Sequence, residues 1–118
     1  MEKQTAKLNV KDIIGSDIAV STVYGDILYK KIIEAFSQNK QVELDFSGID
    51  IITTAFLNAA IGQLYSSYKG EKLNKSIKLI NIADEDILLL KKVIQRAKEY
   101  FSDRKKFEDS ANIAVYGS

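Results

Sequence analysis

The strongest constraint on the fold of this chain is a change of apolar period within one short stretch. Gln41 to Phe46 (QVELDF) places Val42, Leu44 and Phe46 on one face at a spacing of two, the signature of a half-buried strand. Ser47-Gly48 interrupts it, and Ile49, Ile51 and Ile52 continue the apolar run. From Thr54 the spacing is helical: Leu57, Ile61, Leu64 and Tyr68 form a stripe flanked by Phe56 and Ala60. The small residues Ala59, Ala60 and Gly62 predict a close approach of this helix to its neighbour, and Gly70 stands where a glycine often ends a helix.

The same switch recurs downstream. Ser76 to Ile82 (SIKLINI) reads as a strand, and Asp84-Glu85-Asp86 suits the positive end of a helix dipole. Ile87, Leu90, Ile94, Ala97 and Phe101 make the stripe of a helix running from about Glu85 to Phe101. Upstream, Lys7 to Ile14 and Asp17 to Val23 read as two strands turning at Gly15-Ser16. Asp26 is then the expected cap of a helix reaching about Gln38, with Leu28, Ile32 and Phe36 inward.

Strands that alternate with helices imply a mostly parallel sheet with right-handed crossovers. The expected fold class is α/β: a small, mostly parallel β-sheet with helices packed on one side and an antiparallel N-terminal edge. The length of 118 residues fits one domain over 1–118, with a core at about 7–101 and a basic segment and tail at 102–118. In that tail, Ile113 to Tyr116 reads as an edge strand or a loose end. Leu44, Phe46, Leu57, Ile61, Leu64, Leu79, Ile82, Leu90 and Ile94 are the expected core.

The residue inventory excludes much chemistry. The chain has no cysteine and no histidine, which removes thiolate nucleophiles, disulfides and imidazole acid–base catalysis. It carries no glycine-rich phosphate loop. The Asp84-Glu85-Asp86 cluster reads as a solvated helix start, and Asp45 and Asp50 read as turn residues rather than an acid–base or metal pair. No catalytic, metal or cofactor site is expected. The net charge of +1 provides no global field for nucleic acid or membrane. The N-terminus MEKQTAKLNV lacks the apolar core of a secretory signal, and no apolar run approaches a membrane span, so the expected location is the cytoplasm. Lys91 to Lys106 holds seven basic residues against two acids; it reads as the wet face of a helix plus a tail, since its aromatic residues do not interleave with the basic ones in a stacking pattern.

VELDFSGIDIITTAFLNAAIGQLY (Val42 to Tyr65) and KSIKLINIADEDILLLKKVI (Lys75 to Ile94) resemble the STAS family of bacterial anti-sigma factor antagonists. They resemble more closely the STAS-like group catalogued as domain of unknown function 4325, over roughly Lys7 to Phe101. The resemblance implies a non-catalytic regulatory module that binds a protein partner, a histidine-kinase-like ATPase or kinase. Such a partner phosphorylates a serine at the start of the helix after the central strand, and the added charge breaks the complex. In register with the family, Thr53 falls on the usual aspartate, Thr54 on the first serine and Ala55 on the phosphorylated serine; Ala59 falls where an acidic residue is usual. Ala55 cannot accept phosphate. Thr54 is therefore the expected N-cap of the helix, with Thr54 or Thr53 as candidate displaced phosphoacceptors. Ser47 and Ser66 are weaker candidates. The implied partner surface comprises Asp50, Ile51, Thr53, Thr54, Ala55, Phe56 and Asn58, with Ile51 and Phe56 as apolar contacts. The alternative is an architectural subunit of a multi-protein assembly, for example in phage defence, touching an acidic protein or nucleic acid through its basic last helix and tail. The oligomeric state is left open.

Overall fold

The computed structural model describes residues 4–116, and side chains as far as residue 102. Strand β1 (Thr5–Asn9) leads directly into a short helix α1 (Val10–Ile14). The expectation of a strand through Ile14 is corrected here. The Asn9 side chain accepts a hydrogen bond from the Asp12 amide at 2.9 Å and so caps a helical turn. Val10 and Ile14, four apart, then both face the core. Gly15, at φ 72°, ends this helix in the left-handed region.

The next expected strand shrinks to β2 (Ile18–Ala19), because helix α2 (Thr22–Ser37) begins early. Its cap is Ser21, whose hydroxyl accepts from the Tyr24 amide at 3.1 Å, and not Asp26, which lies within the helix. Gly25, Leu28, Ile32 and Ala35 form its buried stripe. Strand β3 (Gln41–Asp45) follows, then β4 (Ile51–Ile52) and helix α3 (Thr54–Ala60). The long helix expected to run as far as Tyr68 breaks after Ala60 into a 3₁₀ turn (Gly62–Ser66). There the Gln63 side chain takes the Ala59 carbonyl at 2.6 Å, and Leu64 bonds back only to Ile61. Gly70 opens a new helix, α4 (Gly70–Ser76), instead of closing the old one. Strand β5 (Ile77–Ile80) and the long helix α5 (Asp84–Tyr116) complete the chain. Because α5 continues to Tyr116, the segment from Ile113 is helical and not an edge strand; its side chains, like those of Arg104, Lys105 and Lys106, lie outside the described residues.

The main sheet is parallel in the order β1-β3-β5, and β2 and β4 form a separate two-stranded parallel ribbon. The antiparallel N-terminal edge is thus corrected: α1 fills the link between β1 and β2 and carries the chain away from a hairpin. Sheet rows run Ala6-Val42-Ile77 and Leu8-Leu44-Leu79 on the inner face, under the helices, and Lys7-Glu43-Lys78 on the outer one. Leu44, Phe46, Leu57, Ile61, Leu64 and Leu90 are buried as expected, and Leu79, Ile82 and Ile94 pack partly buried against them. Among the described residues no helix is long and apolar enough to cross a membrane.

Candidate functional site

The stretch from Asp50 to Asn58 is shaped by one hydroxyl. Thr53, in extended backbone, is the N-cap of α3. Its Oγ1 accepts from the Phe56 amide at 3.3 Å and donates to the Val20 carbonyl at 2.9 Å. Its own amide donates to the Ala19 carbonyl at 3.1 Å, and the Asp50 amide to the Asp17 carbonyl at 2.8 Å. The cap is therefore Thr53, which corrects the expectation that Thr54 caps this helix. The reason is tertiary: the ribbon partner β2 ties Thr53 through its amide and hydroxyl, so the helix starts at Thr54, one residue earlier than a Thr54 cap would give. Thr54, at the first helical position, is half-buried and makes no side-chain hydrogen bond among the described residues.

This assigns the two threonines different roles. Thr53→Val removes a cap and a cross-chain tie together and should cost about 2 kcal/mol. Thr54→Val should cost less than about 0.5 kcal/mol. Chemical denaturation of the two variants checks the difference, and equal losses would count against this assignment of the cap.

The other expected contact residues divide by exposure. Asp50, Ile51, Ala55 and Asn58 are exposed. Phe56 is not: it is fully buried in the core and offers nothing to a partner, which corrects its expected role as an apolar contact. On a seven-residue helix pinned at Thr53, Phe56 and Leu57 turn inward with Ala59 and Ala60, leaving Ala55 and Asn58 outward.

Sequence reasoning missed further exposed apolar side chains on the ribbon and on α2. Ile18 and Ile51 are register partners in the ribbon and are 41% and 51% exposed. Val20, next but one to Ile18, points to the same side at the residue whose carbonyl Thr53 holds. Val23 and Ile27, one turn apart on α2, are exposed as well, Val23 at 65%. These five are most of the large exposed apolar side chains among the described residues; the others are Leu88 and Tyr100 on α5. Their signal in the sequence is weak but present: Val23 and Ile27 fall off the stripe of Gly25, Leu28, Ile32 and Ala35. Each exposed isoleucine also follows an aspartate directly, in Asp17-Ile18, Asp26-Ile27 and Asp50-Ile51. Asp26 accepts a hydrogen bond from Gln63 at 2.9 Å.

Ser47 and Asp45 belong to a turn at the end of β3. Asp45 accepts from the Asn81 amide nitrogen and from the Ser47 backbone N–H, both at 2.9 Å. These bonds, the one from Asn81 foremost, hold its carboxyl below the usual carboxylate range. The pair Asp45 and Asp50 is not brought together with a third ligand: among the described residues no group of three potential metal ligands forms. Ser66 donates to the Gln63 carbonyl at 2.7 Å within the 3₁₀ turn.

A family model described as a STAS-like domain of unknown function (DUF4325) matches residues 24–86, just over half of the chain. That span runs from α2 to the first turn of α5, and leaves β1, α1 and β2 outside it. No curated protein and no solved structure matches the chain.

Proposed function

The chain belongs to the STAS-like domains of unknown function (DUF4325), and from that membership we propose that it is a non-catalytic regulatory module, an anti-sigma-antagonist-like protein that binds a kinase-like or ATPase partner in the bacterial cytoplasm. STAS-like domains are generally not enzymes. The observation that carries the reading is the exposed apolar set of Ile18, Val20 and Ile51 on the ribbon beside the Thr53 cap, with Val23 and Ile27 exposed on the helix α2 that follows. Solvent-exposed apolar side chains grouped in this way mark interaction sites more often than scattered ones do. Their neighbours Asp17, Asp26 and Asp50 give the patch an acidic margin, which suits a partner presenting apolar residues among lysines and arginines.

Ala55 sits exposed at the helix tip, where the STAS family that the chain resembles places the serine that takes phosphate. Without a hydroxyl the contact cannot be switched at that residue. Thr53 is a poor substitute because its hydroxyl is engaged twice. The module therefore binds constitutively or is switched elsewhere, and Thr54, whose hydroxyl makes no hydrogen bond among the described residues, is the remaining acceptor at this tip.

The test is affinity purification of the tagged protein from its native cytosol, with and without ATP, followed by mass spectrometry. A nucleotide-binding protein should be recovered with the native chain. Ile51→Asp with Val23→Asp should reduce its binding by at least about 2 kcal/mol, on the order of thirtyfold, with no change in melting. Ala55→Asp and Asn58→Arg should weaken it also. Recovery unaffected by all of these variants would overturn the assignment of the surface.

A further inference from the structure

We infer that the open edge of β5, together with the cavity beside it, is a second docking site, built for an extended acidic segment of another protein that adds to the sheet as a fourth strand. The main sheet ends at β5. In a parallel strand the main-chain groups of alternate residues point to opposite sides. Ile80 gives its carbonyl to the Phe46 amide on the β3 side, so Lys78 also faces β3, and Ile77 and Leu79 face the open edge. The Ile77 amide is taken by the Leu73 carbonyl of α4. The Leu79 amide and carbonyl and the Ile77 carbonyl have no partner among the described residues. Such groups are a template for another strand.

The side chains of the same residues border an apolar cavity. Ile77 and Leu79 line it with Leu73, Leu90, Ile94 and Tyr65, and its volume is about 110 Å³. A space of that size takes one aliphatic or aromatic group. It exists because α5 packs on α3 and the 3₁₀ turn rather than down onto β5. An added strand would place its alternate side chains over this space.

The charge of the occupant follows from the outer face. Its middle row reads Lys7, Glu43, Lys78, alternating in sign across the sheet. The next position in that row calls for a carboxylate, since directly opposed like charges destabilise a pair of strands. A second copy of this chain fails the requirement. With the charged rows in register, its β5 edge would set Lys78 against Lys78, and its β1 edge would set Lys7 against Lys78. Lys75, exposed one residue before Ser76 and β5, adds to the positive field. The occupant is therefore a segment of a different protein, alternating apolar residues toward the cavity with acidic residues toward Lys78.

Selection from a random-peptide library displayed on phage, with the full chain as target, tests this. Peptides that alternate apolar and acidic residues should be enriched. The enriched peptide, synthesised and titrated into isotope-labelled protein, should slow hydrogen exchange of the Leu79 amide. Its affinity should fall about fivefold in Lys78→Gln and stay unchanged in Ile51→Asp, which separates this site from the surface beside α3. Enrichment of nothing, of basic peptides, or of peptides that leave Leu79 exchange unaltered would overturn the inference. Octanoate titrated alone is the control for a small amphiphile: shifts at Leu90 and Ile94 with octanoate, and no selected peptide, would overturn it in favour of a lipid-like ligand.

Discussion

Gly25→Ala should lower stability by about 3 kcal/mol and the melting temperature by on the order of 10 °C. Glycine in the first turn of α2 is a poorer helix former than alanine, so on propensity alone the substitution would help. Packing decides the other way. A Cβ added at Gly25 would lie 2.5 Å from the Ala59 Cβ and 2.6 Å from the Phe56 carbonyl oxygen. The second of these is backbone and cannot rotate aside. Helices α2 and α3 form the most extensive helix–helix contact among the described residues, and Gly25 lies directly against Phe56 and Ala59 within it. The methyl group would push them apart and open the core around Phe56. A melting temperature equal to or above that of the native protein would show that the two helices do not approach so closely.

Leu57→Ala should cost about 3–5 kcal/mol. Leu57 is fully buried, one residue beyond the equally buried Phe56, and belongs to the same apolar cluster as Leu28, Leu44 and Leu64. Truncation leaves a cavity lined by sheet and helices together, where collapse is opposed from both sides. Leu90→Ala should cost less, about 2–3 kcal/mol. Leu90 borders the existing space beside β5, so part of its surroundings is already empty and fewer contacts are lost. Urea denaturation orders the two variants, and a larger loss at Leu90 would count against the position of the cavity.

Much of the fold was legible where one apolar period ran unbroken. The alternation of Val42, Leu44 and Phe46 marked β3, and the stripe through Leu90 and Ile94 marked α5. Boundaries failed wherever a short polar side chain decided between two backbones. Asn9 turns a strand-like run into a helix, and Ser21 starts α2 before Asp26. Neither choice shows in periodicity, because Val10 and Ile14 fit either pattern for a few residues. The candidate site was legible in part. Ile51, Ala55 and Asn58 are exposed near the tip of α3, but the role of Thr53 depends on the carbonyl of Val20, and the burial of Phe56 depends on α2. Ile18 and Val20 could not have been joined to Ile51 without the β2–β4 pairing, a contact between distant parts of the chain.

The hydrogen bond from Thr53 to Val20 spans 33 positions in sequence. The surface beside α3 is thus discontinuous, assembled from segments that meet only once both have been synthesised and have folded. A nascent chain that has displayed β2 and the start of α2 does not yet present it, and a chain unfolded at either segment loses it altogether. Recognition of this surface is recognition of a finished molecule, so a partner that reads it responds to the number of correctly folded copies rather than to the number of chains made.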